Sequence, residues 1–365
     1  MKIECIKDKL SAALVQAGRF SGKHPTLPVL SSVLFETKQN TLIIRATNLD
    51  AGIEISLPVK VIKEGSVAVS AQTIINTVST IQGKQVVLEE TGGSLAVSSQ
   101  TYKTAVRCVP KEDFPTIPII SSSEKIDVAA KNLADGIGSV VYSASTSEIK
   151  PELSSVYIYP EHNTLVFVST DSFRLAEKRI TTKGIKDFPG IILPYKNAVE
   201  IARVFSESSD TVRALFSKHH ASFSSDSLYI TSRLVDGLFP DYKQIIPKEE
   251  KTRAVVLKQD LVQALKVTTV FANKFNQLSI KVKPEEGVLS IESKNADVGE
   301  GTVSLDAALS GEGVELNVNA RYFSDCLAHI HQDSVALVFN GPGKPIIVGG
   351  AGDASFTYLV MPMNR

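Results

Sequence analysis

Hydrophobic and polar positions follow two alternating periods along this chain. Some stretches carry apolar residues at the three- and four-residue spacing of an amphipathic helix. Between them lie runs with the two-residue alternation of strands, with Gly and Asn at their joints. The helical stretches are 7–20, 133–141 and 261–270, with a second set at 71–81, 195–205 and 320–330. This order predicts an α+β fold in which helices cover one face of antiparallel sheet, with two helices and about eight strands per recurring part.

Similar segments recur in the same order and show that the chain contains an internal repeat of about 124 residues. The markers are TLIIRATNLD at 41–50 with TLVFVSTDSF at 164–173 and VLSIESKNAD at 288–297; Phe114-Pro115 with Phe239-Pro240; and the segments from Val69, Leu193 and Val318. Because they share one register, we expect three tandem copies of one domain, here called repeats 1, 2 and 3. Each is long enough to bury its own core. The expected boundaries are 1–122, 123–249 and 250–365.

Composition narrows the class of protein. The 365 residues are 43% hydrophobic and 21% charged, which is typical of a globular chain. No apolar run approaches the ~18 residues of a membrane span, and no signal peptide pattern is present, so we expect a cytoplasmic protein without membrane contact. Cys5, Cys108 and Cys326 have no CxxC spacing, which predicts buried free thiols in a reducing compartment. Lys plus Arg equals Asp plus Glu at 39 each, so net charge does not indicate a nucleic-acid partner.

Enzymatic function finds little support in the motifs. No G-x-S-x-G elbow is present. The stretch Gly341–Pro345 resembles a phosphate loop, but Pro342 lacks an N–H group and no Ser or Thr follows Lys344, so a turn is expected. We therefore expect no catalysis and no cofactor.

Metal binding is also unsupported. His329 and His331 are two positions apart and would not face each other on a helix, so they form a poor ligand pair. Asp171 beside Arg174 could be a catalytic acid, but no partner base is evident and a structural ion pair is expected. We therefore expect no metal site.

Four segments carry a resemblance to a known family. They are PTLPVL at 25–30, TDSFRL at 170–175, LVDGLFPDY at 234–242 with Pro247, and VMPM at 360–363. They resemble the signature segments of the bacterial DNA polymerase III beta subunit, the replicative sliding clamp, over the whole chain and in one order. The resemblance implies a head-to-tail homodimeric ring of six domains with helices lining the hole and double-stranded DNA threaded through it without regard to sequence. It also implies that the ring tethers polymerases, that its partners are the DNA polymerase III alpha subunit, other polymerases and a clamp-loader complex, and that it is not an enzyme.

Domain size gives separate support for a dimer. A domain of about 122 residues has a diameter of roughly 35 Å. Three touching spheres of that size leave a hole of only ~5 Å, whereas six leave ~35 Å. Duplex DNA needs about 20 to 25 Å. One chain could not encircle DNA, but two could.

The neutral net charge is compatible with such a ring, because encirclement needs no tight phosphate contacts. Cations on the helices would give weak, salt-sensitive attraction to DNA. The alternative is that these cations only solvate amphipathic helices. The DNA-facing residues implied by the resemblance are Arg19, Lys23, His24, Lys196 and Lys266.

The resemblance also implies a cleft that binds short apolar peptide motifs of partner proteins, where repeats 2 and 3 meet. Aliphatic walls, adaptable methionines and one Arg to orient the peptide suit this task. The residues carried over are Leu153, Thr170, Ser172, Phe173, Arg174, Leu175, Pro240, Ile245, Pro345, Leu359, Met361, Pro362 and Met363. Ser172 and Phe173 stand where relatives commonly have Gly and His, so the preferred peptide is expected to differ.

The dimer interface implied by the resemblance joins repeat 1 of one chain to repeat 3 of the other. Thr104 and Val106 on an edge strand would meet Val270 and Phe271 on a helix. A scaffold of triplicated sheets that ignores DNA is the remaining alternative, and it would be a monomer that does not act on primed circular DNA.

Overall fold

The computed structural model describes residues 1–22, 26–122, 124–182, 185 and 187–363. Its residues form two compact units. The N-terminal unit comprises Met1–Ala134, Lys186–Phe188 and Val199–Asp236, and the C-terminal unit comprises Asp135–Ile185, Pro189–Ala198 and Gly237–Arg365. Repeat 2 therefore contributes residues to both units.

The helices lie where the hydrophobic spacing predicts them. In the described residues they are α1 (Lys7–Gly18), α2 (Ala71–Thr80), α3 (Ala130–Val141), α4 (Tyr195–Phe205), α5 (Lys258–Thr269) and α6 (Ala320–Asp325). The predicted helix over 320–330 is α-helical only in its first half, and Cys326–His329 forms a 3-10 turn. Phe323, Cys326 and Ile330 are buried in this arrangement. Apolar residues three or four apart can be buried by either geometry, so the spacing did not distinguish them.

The strands of repeat 1 and the first strand of repeat 2 are β1 (Lys2–Ile6), β2 (Ser32–Lys38), β3 (Thr41–Thr47), β4 (Ala51–Pro58), β5 (Lys60–Lys63), β6 (Ser66–Ser70), β7 (Gln85–Thr91), β8 (Ser94–Ser98), β9 (Lys103–Val109) and β10 (Lys125–Ala129). The other strands of repeat 2 are β11 (Ser155–Glu161), β12 (Thr164–Thr170), β13 (Arg174–Thr181), β14 (Ile191–Pro194), β15 (Thr211–Phe216), β16 (His220–Ser225) and β17 (Leu228–Arg233). Those of repeat 3 are β18 (Thr252–Leu257), β19 (Gln277–Lys283), β20 (Val288–Asn295), β21 (Gly299–Leu305), β22 (Ala307–Gly311), β23 (Val314–Asn319), β24 (Ser334–Phe339), β25 (Ile346–Gly350) and β26 (Phe356–Val360).

Antiparallel sheets dominate both units, as predicted. In the part of the N-terminal unit that the structure describes, the strands form one sheet in the order β10-β15-β16-β17-β4-β3-β2-β6-β9-β8-β7-β1-β5. The C-terminal unit contains a nine-stranded sheet, β14-β11-β12-β13-β26-β25-β24-β18-β22, and a four-stranded sheet, β21-β20-β19-β23.

The turn after the first marker segment shows the internal repeat atom by atom. The marker segments form β3, β12 and β20. A residue whose side chain carries an Oδ1 atom stands at the end of each strand or directly after it, namely Asn48, Asp171 and Asn295. Each oxygen accepts a hydrogen bond from the backbone N–H two residues later, at 3.0, 2.9 and 3.0 Å respectively. This Asx turn gives each following strand the same starting geometry.

Strands of successive repeats pair with each other, which the local sequence pattern did not predict. In the N-terminal unit β4 pairs with β17, with Ile53 opposite Ile230. In the C-terminal unit β13 pairs with β26, with Leu175 opposite Leu359. The fourth strand of one repeat thus joins the last strand of the next.

The three thiols are not disulfide-bonded, but they differ in burial. Cys5 and Cys326 are buried, whereas Cys108 is half-buried near the end of β9, so the expectation of three buried thiols is wrong for Cys108. Burial raises the pKa of the Cys5 thiol to about 12. Within the described residues, no three His, Cys, Asp or Glu side chains cluster as metal ligands. No described helix has the length and apolar character to cross a membrane.

Candidate functional site

A groove of about 500 Å³ lies in the C-terminal unit. The structure brings three of the predicted cleft residues together in its lining, namely Ile245, Pro345 and Met361. The other lining residues are Gln244, Ile246, Pro247, Lys248, Glu249, Asn340, Gly343 and Lys344. Its mixture of aliphatic, proline and methionine surface suits a short apolar peptide.

One wall of the groove is a 3-10 turn, Tyr242–Ile245, held in place by a tyrosine. The ring of Tyr242 is buried, and its hydroxyl donates a short hydrogen bond to the carboxylate of Glu177. The hydroxyl of Tyr159 lies 2.7 Å from the same oxygen atom of Tyr242. Burial and then the bond to Glu177 raise the pKa of Tyr242, so the phenol remains a donor. Because the turn is fixed from inside, Ile245 stays exposed at the groove surface.

The predicted residues Leu175 and Leu359 support the groove from below and do not line it. They are paired across β13 and β26 and are almost fully buried. Together with Val166, Val168 and Tyr242 they form one apolar cluster. Their contribution is to hold the sheet and the turn together.

The chain's terminal Met-Pro-Met segment is anchored through its backbone. The N–H of Met361 donates to the carbonyl oxygen of Phe173 at 2.8 Å, and the N–H of Met363 donates to that of Asn317 at 2.7 Å. Met361, Pro362 and Met363 are all half-buried. The segment is therefore part of the fold as far as Met363, with its backbone tied to the β12–β13 turn at Met361 and to β23 at Met363.

Arg174 points inward, contrary to the expectation that it orients a peptide. Its guanidinium donates to Asp171 at 3.0 Å, to Asp325 at 2.5 Å and to the carbonyl oxygen of Tyr142 at 2.6 Å. It also lies 4.5 Å from the centre of the Tyr322 ring. The pair with Asp171 is the structural ion pair that the sequence predicted. Arg174 therefore braces the β12–β13 turn, since three of its five N–H groups already have acceptors.

The other predicted cleft residues fall into two groups. Leu153 and Thr170 are buried, and the Thr170 hydroxyl donates to the Arg174 carbonyl oxygen at 2.6 Å. Ser172, Phe173 and Pro240 are exposed, and Phe173 is 62% exposed. Ser172 has φ of 78°, a left-handed conformation that Gly adopts more easily. The structure places Phe173 beside Met361 through the backbone bond, but Phe173 does not line the 500 Å³ groove.

Sequence reasoning missed Tyr322 and Asn340. Tyr322 occupies the place of Thr73 and Asn197 in the aligned segments, and an aromatic ring at an otherwise polar helix position is a signal that could have identified it. Asn340 lines the groove, and its two amide atoms are buried without a hydrogen-bond partner among the described residues. Such a group gains from a ligand that can pair with it.

Three family models match consecutive parts of the chain. The N-terminal domain of the DNA polymerase III beta subunit matches residues 1–118, the central domain matches 127–241 and the C-terminal domain matches 243–364. The chain belongs to the DNA polymerase III beta subunit family.

Similar proteins match over 93% to 100% of the chain. The beta sliding clamp of Synechococcus elongatus is 27% identical over 374 residues, covering 100% of this chain and 99% of the relative. The beta sliding clamp of Staphylococcus aureus is 25% identical over 350 residues, covering 93% of each chain. The solved beta subunit of Thermotoga maritima is 25% identical with a TM-score of 0.95, covering 100% and 99% of the two chains. The Bartonella birtlesii sliding clamp, solved bound to griselimycin, is 26% identical with a TM-score of 0.93, covering 100% of both chains.

Two of the cations expected to face DNA, Arg19 and Lys196, are engaged in surface ion pairs. Arg19, directly after α1, lies 3.4 Å from Glu200, and the well-exposed Lys196 lies 2.8 Å from Glu148. Lys266 is exposed in the last turn of α5. Lys23 and His24 lie outside the described residues. Exposed pairs are worth little and exchange partners easily, so they do not prevent contact with phosphate.

The four residues expected at the dimer interface lie at two places, on β9 and directly after α5, and they differ in exposure. Thr104 is exposed on β9, but the side chain of Val106 is buried, so only its backbone is available. Val270 and Phe271 follow α5, which ends at Thr269, so the expectation that they lie on the helix is wrong. Val270 is 66% exposed. Phe271 packs so closely on β21 that a Cβ at Gly301 would lie 2.7 Å from its ring.

Proposed function

We propose that this chain is a DNA polymerase processivity factor, a closed ring that encircles duplex DNA, slides along it and tethers polymerases. The observation that carries the proposal is the match of three beta subunit domain models, in order, over nearly the whole chain. The role is mechanical and needs no catalytic residues. The DNA polymerase III alpha subunit, other polymerases and a clamp-loader complex are the partners, and a cytoplasmic location is part of the proposal.

Unpaired strand edges support a head-to-tail homodimer. Two junctions between repeats are already formed within the chain, by β4 with β17 and by β13 with β26. The corresponding strands for a third junction are β21, the hairpin partner of β20, and β9, the last strand of repeat 1. In the described residues β21 pairs only with β20, and 103–107 of β9 pair only with β8. Pairing β9 of one chain with β21 of the other would complete the same junction twice per dimer.

Charge and apolar surface at these edges are complementary. Lys103 and Arg107 are exposed on β9, whereas Glu300 is exposed on β21. Val270 and Phe271 lie beside the β21 edge and would cover it with apolar surface, facing Thr104. Strand pairing combined with a small apolar contact is a common way to close a protein–protein interface.

Weak electrostatic attraction to DNA is compatible with the chain's net charge of zero. Lys plus Arg and Asp plus Glu are each 39, so tight phosphate binding would have to come from local clusters. Arg19, Lys196 and Lys266 would supply mobile contacts, with Lys23 and His24 as further candidates. A ring held by topology needs only such contacts, and strong ones would slow sliding.

Partner proteins would bind in the groove lined by Ile245, Pro345 and Met361. Griselimycin, bound to the Bartonella birtlesii clamp, is a usable probe, and we propose that it binds this groove here. Phe173, exposed beside Met361, would adjust the fit at one end. The proposed domain boundaries remain 1–122, 123–249 and 250–365.

Retention on circular DNA tests the proposed function. The protein would be loaded onto nicked circular DNA by a clamp loader with ATP, raised to a salt concentration at which direct binding is lost, and passed through a gel-filtration column. We expect the protein to stay with circular DNA and to leave once the circle is cut. Binding by phosphate contacts alone would fall steeply with salt on both forms. Equal retention on circular and linear DNA would contradict encirclement.

A control separates ring closure from DNA contact. The Val270→Ala, Phe271→Ala double variant should lose retention on the circle because the ring opens, although its cations are unchanged. A wild-type chain that is monomeric and never associates with primed circles would instead support the scaffold alternative.

A further inference from the structure

A second groove, of about 590 Å³, lies in the N-terminal unit. Its floor is a row of residues paired across five neighbouring strands, from β16 through β17, β4 and β3 to β2. The row consists of Ser224, Tyr229, Glu54, Arg45 and Leu34. One wall is the segment 114–119 and the other is the turn at 225–228.

The first wall is fixed from inside. The hydroxyl of Tyr229 accepts a hydrogen bond from the N–H of Ile120 at 2.8 Å and donates one to the carbonyl oxygen of Pro118 at 3.1 Å. Ile117 is buried against Gly52, where an added Cβ would lie 3.1 Å from the Ile117 side chain. The groove is therefore preformed and is not a gap beneath a loose loop.

The internal repeat identifies the counterpart of this groove in the C-terminal unit. Phe114-Pro115 corresponds to Phe239-Pro240, so Ile117 corresponds to Tyr242, and the β3 and β12 alignment makes Glu54 correspond to Glu177. The C-terminal counterpart is filled by the ring of Tyr242. One oxygen of Glu177 accepts from the Tyr242 hydroxyl, and the other accepts from Nε of Arg179 at 2.7 Å.

In the described part of the N-terminal unit the corresponding carboxylate, that of Glu54, has a donor on only one of its two oxygens. Oε2 of Glu54 accepts from Nε of Arg45 at 2.6 Å. Among the described residues nothing donates to Oε1 of Glu54. Ile117 has no hydroxyl and is shorter than a tyrosine. The space that a phenol ring fills in one unit is open in the other.

The uncompensated charge in the open groove is negative. Arg45 is shared between Glu54 and Glu36, so its charge is already balanced. Asp226 in the opposite wall is exposed and forms no ion pair with any described residue. A ligand carrying hydrogen-bond donors or a cation is therefore favoured over an anionic one.

We propose that this groove binds a partner peptide that inserts a tyrosine side chain and donates its hydroxyl to Glu54, with a neighbouring Lys or Arg facing Asp226. The chain itself supplies the argument for the tyrosine, because the ring of Tyr242 fills the matching place in the C-terminal unit. The exposed carboxylate of Asp226 in the groove wall supplies the argument for the neighbouring cation. This site is separate from the groove at Met361, and it does not depend on ring formation.

The test uses a tetrapeptide, acetyl-Pro-Asn-Tyr-Lys-amide, which copies residues 240–243 with neutral Asn in place of Asp241. A methyl-labelled full-length chain would be titrated by NMR. We expect shifts at Ile117 and Ile119 but not at Ile245. The same peptide with Phe in place of Tyr should bind about tenfold more weakly, because a hydrogen bond to a charged group is lost. Equal affinity of the two peptides, or shifts at Ile245 alone, would overturn the proposal.

Chain variants locate the contact. Glu54→Gln should lower the affinity for the tyrosine peptide to about the affinity for the phenylalanine peptide. Glu36→Gln, which touches the same Arg45 outside the groove lining, should leave binding unchanged. Ile117→Tyr should fill the groove from within and abolish binding while the fold is retained. If Ile117→Tyr lowers the oligomeric mass in light scattering, the occupant is a second copy of the chain and the peptide proposal fails.

Discussion

The backbone N–H of Met361 and the carbonyl oxygen of Phe173 are joined by a hydrogen bond of 2.8 Å. The corresponding bond in the N-terminal unit joins the N–H of Arg233 to the carbonyl oxygen of Asp50 at 2.7 Å. The bond is thus part of the junction between repeats, and in the C-terminal unit it holds Met361 at the groove. The end of the chain serves both the fold and the proposed peptide site.

Deletion of Met361–Arg365 should abolish ligand binding at this groove. Met361 lines the groove, and the deletion removes both its apolar surface and the backbone bond from Met363 to Asn317 that anchors the segment. Such a loss costs a few kcal/mol, or roughly 10- to 1,000-fold in affinity. Calorimetry with griselimycin measures the loss. The dimer mass should be unchanged, because the deletion is remote in sequence from β9 and β21. Equal affinity for intact and truncated chains would remove the terminal segment from the site.

Val270→Ala combined with Phe271→Ala should convert the proposed dimer into folded monomers at micromolar concentration. Truncating Phe271 removes the ring that covers the β21 edge and should cost about 3 kcal/mol per interface, and the dimer contains two interfaces. Light scattering measures the mass, and circular dichroism checks the fold. Phe275→Ala is a matched control, since Phe275 is also exposed and close in sequence. A dimer mass that survives the double substitution would exclude this interface.

Arg174→Met should destabilise the C-terminal unit by about 3 kcal/mol, because it leaves the largely buried carboxylate of Asp171 without its cation. Asp171→Asn should cost clearly less, since Asn keeps the Oδ1 acceptor of the Asx turn, as Asn48 and Asn295 do in the other repeats. Thermal unfolding midpoints measure both effects. Wild-type stability of Arg174→Met would show that its inward contacts contribute nothing.

Stability should fall as the solution is acidified, in part because of His329. Burial lowers the pKa of His329, which stacks on Tyr142 with ring centres 4.8 Å apart. Asp135 and Asp325 act in the opposite direction, while His331 and Lys178 add to the lowering. The unfolded chain therefore binds the proton first below about pH 6.5. The stability that neutral His329 provides above that pH is lost as pH falls through its lower folded pKa.

The variant His329→Phe isolates this contribution, because Phe can stack but cannot titrate. Urea unfolding between pH 7.5 and 5 should show a shallower loss of stability for the variant than for the wild type. Parallel curves for the two proteins would mean that His329 does not contribute to the acid sensitivity.

Local patterns predicted the helices well because their buried residues recur at one spacing. Leu10, Ala13, Leu14 and Ala17 all face the core from α1, as the sequence indicated. The alignment of Val69 with Leu193 and Val318 also placed the starts of α2, α4 and α6 correctly.

Contacts between distant segments escaped prediction. Nothing near Arg174 in the sequence indicates that Asp325 and Tyr142 would take its N–H groups, since tertiary folding brings them together. Strand alternation could have shown that Leu175 and Leu359 face inward, but not that they face each other. The pairing of β4 with β17 depends on a partner from another repeat, which no local period encodes.

The pairing of strands across repeats has a consequence for how such a chain could arise. A single repeat with a β4-type edge and a β9-type edge would polymerise head to tail, and its assembly would depend on concentration. Covalent linkage of three copies turns two of every three such contacts into intramolecular ones, at a high effective concentration. Gene fusion alone would then strengthen the assembly without a new contact, and only the remaining junction would be left sensitive to dilution.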